Sequence, residues 1–160
     1  MSATQSLHYE LCCKAAVWIR QRRNAEPWKA AYTLSAVELI CYGAENPDVY
    51  AFNGAESAII EVKTSHADFL ADQKKASRTN PEYAMADFRY YLCPEGVINP
   101  DEVPDKWGLL YYKDGRIHKV RQAEQQDSCK IWDMLLLSSI MRREGLLGKT
   151  YNYRNKKEQS

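Results

Sequence analysis

Apolar residues recur at three- and four-residue steps through Leu7, Leu11, Cys12, Ala15, Ala16 and Ile19, which predicts an amphipathic helix over Gln5–Arg23. Arg20, Arg22 and Arg23 suit its C-terminal dipole, and Pro27 forbids continuation. Tyr32–Cys41 alternates and is rich in β-favouring residues, so it reads as a strand, followed by turn chemistry at Gly43–Pro47. Asp48–Phe52 and Ser57–Lys63 read as two strands of a hairpin around Asn53-Gly54. Ala67–Ala76 has helical spacing with Phe69, Leu70 and Ala76 inward, and Asp87–Cys93 is a strand that Pro94 ends. Residues 94–107 hold three prolines and read as an irregular excursion. Gly108–Tyr112 and Arg116–Arg121 pair around Lys113-Asp114-Gly115. Asp127–Gly145 is helical, capped by Asp127 or Ser128, with Ile131, Met134, Leu135, Ser138 and Met141 on the stripe expected to face the core. The order α-β-β-β-α-β-β-β-α predicts an α/β protein, a mixed sheet flanked by helices, with a helix at the C-terminus.

The chain's 160 residues are 45% hydrophobic and 27% charged, enough for one domain with a core of its own. One domain is therefore expected over 1–148, with a basic, flexible tail over 149–160. No apolar run is long enough to span a bilayer, and no basic n-region precedes an apolar stretch. The five cysteines form no CxxC pair, which points to free thiols in a reducing cytoplasm. The formal net charge is +1, but its distribution is uneven. Residues 48–112 carry six Lys/Arg against eleven Asp/Glu, and residues 113–160 carry eleven against six. Such segregation suits an acidic cation site beside a basic phosphate-facing flank, and it also arises by chance on a solvated surface.

The chemistry concentrates in residues 46–75. The strand that is apolar at Ala58, Ile59 and Ile60 becomes charged at Glu61 and Lys63, which alternation puts on one face. A four-residue loop, Asn53–Glu56, sets Asp48 directly opposite Glu61. Two adjacent carboxylates raise each other's proton affinity unless a cation sits between them, and Mg²⁺ is the natural neutraliser. Lys63 beside that ion can hold the attacking water or stabilise charge on the phosphate. An isolated Glu-x-Lys on a strand is usually a solvated ion pair worth about 0–1 kcal/mol.

Pro47-Asp48, twelve intervening residues, then Glu61-Val62-Lys63 resembles the signature of the PD-(D/E)xK nuclease superfamily. EVKTSHADFLADQKK, the strand FRYYLCP, a proline-bearing loop and GLLYY…GRIHKVR extend the resemblance, over about residues 8–122, to MmcB-like bacterial DNA-repair proteins. The resemblance implies a restriction-endonuclease-like core with a four-stranded mixed sheet between helices. It implies hydrolysis of DNA phosphodiester bonds with Mg²⁺ or Mn²⁺, in repair, recombination or phage-related processing. Asp48 and Glu61 would be metal ligands and Lys63 the catalytic lysine. Glu10 would match the further glutamate that the superfamily often takes from its first helix, with Glu38 as the competing candidate. The RecB-like Gln-x-x-x-Tyr motif is not met, since Ser77 stands four residues after Gln73.

DNA is the expected partner, single- or double-stranded, through Lys74, Lys75 and Arg78 and through Arg116, Lys119 and Arg121, all expected beside the acidic pocket. The alternatives are a DNA-binding module with little catalysis, or an interaction domain that pairs as a homodimer. Asp68 and Asp72 share a helix face and read as solvated carboxylates near a helix N-terminus. His8, Cys12 and Cys41 lack a fourth ligand at zinc spacing, so the cysteines read as packing residues.

Overall fold

The computed structural model describes residues 3–43 and 45–154, with side chains from Ser6 onward. The first helix, α1, covers Ala3–Arg20 and buries Leu11, Cys12, Ala15, Ala16 and Ile19, the stripe its periodicity predicts. Six strands follow: β1 (Leu34–Val37), β2 (Val49–Phe52), β3 (Ser57–Val62), β4 (Phe88–Pro94), β5 (Gly108–Lys113) and β6 (Arg116–Arg121). They form one open sheet in the order β1-β2-β3-β4-β5-β6. β3, β4 and β5 run parallel, and the outer pairings are antiparallel. The sheet thus has two strands more than the four-stranded core the resemblance implies.

β3 and β4 are buried along almost their whole length because both of their faces are covered. On one face Val49, Ala58, Ile60 and Leu92 pack under α1. On the other, Tyr50, Ile59, Tyr91 and Leu109 pack with Phe69, Trp107 and Leu136. Tyr90 and Tyr91, being neighbours on a strand, go to opposite faces and both are buried. β5 enters at Gly108 because a Cβ there would stand 2.3 Å from the Tyr90 ring.

Three elements differ from the pattern. The helix expected over Ala67–Ala76 is two: α2 (His66–Asp72) and α3 (Ala76–Thr79), with Lys75 extended between them. Phe69 and Asp72 are the buried residues of α2, while Leu70 is exposed. The last helix, α4 (Lys130–Arg143), begins after Cys129 rather than at Asp127 or Ser128, and it is rotated from the expected stripe. Asp133, Leu136 and Ser139 face inward, because Asp133 accepts from Tyr50 Oη at 3.0 Å and from the Ala86 amide at 3.1 Å. Ile131, Met134 and Met141 are consequently exposed. The excursion over 94–107 is not a free loop: it buries Ile98, Val103 and Trp107 and holds a short 3₁₀ turn, Pro100–Glu102, capped by Asn99. The expected basic tail lies, from residue 155 on, outside the described residues.

Candidate metal and catalytic site

Asp48 immediately precedes β2 and Lys63 immediately follows β3. The β2–β3 register pairs Val49 with Ile60, so the next rung sets Asp48 against Glu61, as the loop length predicts. Asp48, Glu61 and Lys63 line one pocket of about 320 Å³, together with His8, Asp72 and Lys75. Local backbone chemistry fixes Asp48, whose Oδ2 accepts the Val62 amide at 2.8 Å. His8 Nε2 stands 3.4 Å from the same oxygen. Burial opposes ionisation of Asp48, but the His8 and Val62 donors prevail and hold its carboxyl below the usual range.

Glu61 is 2% exposed, and its two oxygens have different surroundings. Oε2 meets Lys63 Nζ at 3.2 Å, Arg78 Nη2 at 3.4 Å and Lys75 Nζ at 3.8 Å. Oε1 is buried with no hydrogen-bond partner among the described residues. Burial, with the charge of Asp48 added to it, pushes the Glu61 carboxyl up to about 7, against the pull of Arg78 and Lys63. An acid so destabilised as an anion, with a free oxygen and a second carboxylate beside it, is a place where a hard cation relieves strain.

Lys63 Nζ is shared between Glu61 Oε2 and Asp72 Oδ1, each at 3.2 Å. Burial favours its neutral form, but the carboxylates Glu61, Asp72 and Asp48 outweigh that and keep it an ammonium. Asp72 is the anchor beneath it. It accepts Tyr91 Oη at 2.7 Å and Arg78 Nε at 2.7 Å, while Lys75 Nζ lies 2.7 Å from Oδ1. Despite its burial, the Arg78 donor holds its carboxyl well below the usual carboxylate range. Arg78 also reaches Glu45 and stacks 5.0 Å over the Trp107 ring.

The break between α2 and α3 is what makes this possible. On an unbroken helix, residues six apart differ by about 240° in direction, so Asp72 and Arg78 would point away from each other. Asp72 is therefore not the solvated surface acid its helix position suggests, and Arg78 is not a surface cation. The signal that could have found Asp72 is its spacing: it lies three residues after buried Phe69, on the same face.

Other expected site residues fall elsewhere. Glu10 is half-exposed and pairs with Lys14 at 3.6 Å, away from the pocket. From α1 it is His8 that enters, two positions earlier, flanked by Asp48 and by Glu38 Oε1 at 3.4 Å. The Asp48 carboxylate beside His8, first by its hydrogen bond and then by its charge, raises the imidazole's proton affinity. Among the described residues His8, Cys12 and Asp48 also bring a nitrogen, a sulfur and an oxygen within 4.8 Å of one another. Cys12 is fully buried, and burial pushes its thiol far up. Cys41 lies beside α4, in a different groove. Lys74 is exposed on the surface, whereas Lys75 leans into the pocket.

The β6 cations are not beside the acidic pocket. One row of the sheet runs Val62–Leu92–Leu110–Lys119, so β6 is three strand spacings, about 14 Å, from β3. Lys119 there bonds the Asn24 carbonyl at 3.3 Å and Gln122 at 2.7 Å, and Arg121 bonds the Val103 carbonyl at 3.1 Å.

No family model and no curated protein matches the chain. Among solved structures it is similar to a protein of unknown function from Silicibacter pomeroyi, with a TM-score of 0.52 and 23% identity, over 73% of this chain and 83% of that one. That likeness extends to the fold: an α/β protein with a mixed sheet between helices and a helix at its C-terminal end.

Proposed function

We propose that this protein is a divalent-metal-dependent nuclease that hydrolyses DNA phosphodiester bonds. The observation that supports it is the meeting of Asp48, Glu61 and Lys63 in one pocket while Glu61 Oε1 keeps a free, buried oxygen. The donors are hard and anionic, which fits Mg²⁺ or Mn²⁺ better than a thiophilic ion. Asp48 and Glu61 would hold the ion. When bound, it supplies Lewis acidity for the phosphate and an activated water. Lys63 contributes a fixed positive charge, aimed by Glu61 and Asp72, for the phosphate oxygen on which negative charge develops. Asp72, locked by Arg78 and Tyr91, keeps that ammonium from swinging away. The five free cysteines fit work in a reducing compartment such as the cytoplasm.

The test is cleavage of plasmid and linear DNA with Mg²⁺ or Mn²⁺, with EDTA as the block. Lys63→Ala is expected to lower the rate by about 10²–10³, as removal of one preorganised charge does. Equal residual cleavage by wild type and Lys63→Ala across DNA and RNA substrates overturns the reading.

One observation favours a second reading, a DNA-binding module with little catalysis. Three cations already surround Glu61 Oε2, so the pocket is partly neutralised from within. Calorimetry with Mn²⁺ separates the two: saturable binding that Asp48→Asn removes supports the nuclease, and its absence supports the module.

A further inference from the structure

A second groove, larger than the acidic pocket, lies elsewhere in the molecule. It is a cleft of about 750 Å³ between α1 and the β5–β6 hairpin, and no carboxylate lines it. Four of its residues are Lys14, Arg23, Arg116 and His118, and its aromatic walls are Trp18 and Tyr112. Arg23 Nε bonds only the neutral Gln21 side chain at 3.1 Å, and Arg116 and His118 have no carboxylate partner among the described residues. Lys14, whose one acidic neighbour Glu10 lies outside the groove, stands 5.8 Å over the Tyr112 ring, so a cation and an aromatic face are presented together. In the acidic pocket, by contrast, every cation is matched to a carboxylate.

The groove also sits at the right level. Tyr111 pairs with His118 and Tyr112 with Ile117, one and two rungs beyond the row that joins Val62 to Lys119. The groove mouth and the Asp48–Glu61 pocket therefore share one end of the sheet, where β6 is about 14 Å from β3, with the groove on the α1 face and the Glu61 side chain on the other. They are linked along α1 as well, since His8 lines the pocket and Lys14 the groove, about 9 Å further on at 1.5 Å per residue.

We infer that this groove binds single-stranded DNA, its backbone on Lys14, Arg23 and Arg116 and its bases against Trp18 and Tyr112. Arginines without acidic partners match a polyanion. The aromatic walls require bases whose faces are free, and a duplex offers none in a groove of this size. Single-stranded DNA as the form that is cut rests on the nuclease reading, whereas groove binding stands or falls separately from cleavage.

The experiment is fluorescence anisotropy of a labelled oligothymidylate with the full chain in EDTA, where nothing is cut. The competitors are a duplex of equal length and polyglutamate. Tight binding of the single strand is expected, weakening steeply with salt. Arg23→Glu/Arg116→Glu is expected to raise Kd at least tenfold and flatten the salt dependence, by about 0.7 in log–log slope for each phosphate no longer neutralised. Trp18→Ala is expected to raise Kd about tenfold, and Trp18→Phe, which keeps the stacking face and the packing, to restore most of it. Unchanged binding in the double charge reversal overturns the inference, as does duplex or polyglutamate binding at least as tight as the single strand. Groove binding without cleavage in any metal removes the nuclease and leaves the groove. Cleavage that ignores both groove variants, with single-strand binding unchanged in them as well, does the reverse.

Discussion

The pocket at the end of β3 and the groove beside β6 use the same kinds of side chain in opposite ways. In the pocket, Lys63, Lys75 and Arg78 are matched against Glu61, Asp72 and Glu45 at short range, and most of these groups are withdrawn from water. In the groove, Arg23 and Arg116 stand in solvent with no acidic partner among the described residues. A buried charge must be compensated on the spot, because its desolvation exceeds what a single distant partner returns. An exposed charge need not be, and is free to meet a ligand. The difference separates a cation that fixes a site from one that recruits a substrate, even though all of them are Lys or Arg in the sequence.

The largest effect that sharpens this comparison is Arg78→Met. It leaves Asp72, Glu45 and Glu61 facing one another with their shared guanidinium gone, and should cost about 3–5 kcal/mol, read as a fall in denaturant midpoint. A loss under about 1 kcal/mol would mean that the cluster is wetter than its burial indicates. Next is Lys63→Met, which retains the aliphatic stem. The expected drop in cleavage of about 10²–10³ corresponds to about 2.7–4 kcal/mol of transition-state stabilisation, with DNA binding in EDTA nearly unchanged. Loss of binding rather than rate would move Lys63 from the site's chemistry to its interface.

The pH dependence is smaller and has a definite sign. Glu61 has its ordinary value near 4.5 when unfolded and about 7 when folded. As pH rises through that window, the unfolded chain releases a proton that the folded one keeps, so stability in EDTA should fall. Glu61→Gln should remove that slope, which melting temperatures taken at the two ends of the window, about 4.5 and about 7, would show. Asp72 acts oppositely: its contribution is present above the ordinary carboxylate range and disappears only in strong acid. The smallest expected effect is Arg116→Met in the groove, below about 0.5 kcal/mol in stability. A large loss there would show that the groove cation is structural after all.

Particular residues mark how far the sequence reads. The element order and the facing of Asp48 and Glu61 follow from local pattern, because a hairpin's loop length sets its register and strand alternation sets the face. The stripe of α1 follows from its period. The rotation of α4 does not, since a polar residue, Asp133, is drawn inward by Tyr50 and the Ala86 amide from 83 and 47 residues away. Its apolar neighbours Ile131 and Met134 are displaced outward as a result.

What the sequence by itself determined here is everything carried by spacing: an α/β order, a mixed sheet flanked by helices, and a carboxylate pair with a lysine at one end of the β2–β3 hairpin. Short-range geometry is periodic, so it can be counted along the chain. Only the tertiary structure decided which charges work together. It exchanged Glu10 for His8, broke one helix so that Arg78 could reach Asp72, and carried β6 three strands away from the pocket. Those outcomes depend on where distant segments meet and on the cost of leaving a charge buried without its partner, and neither is written in the spacing of residues.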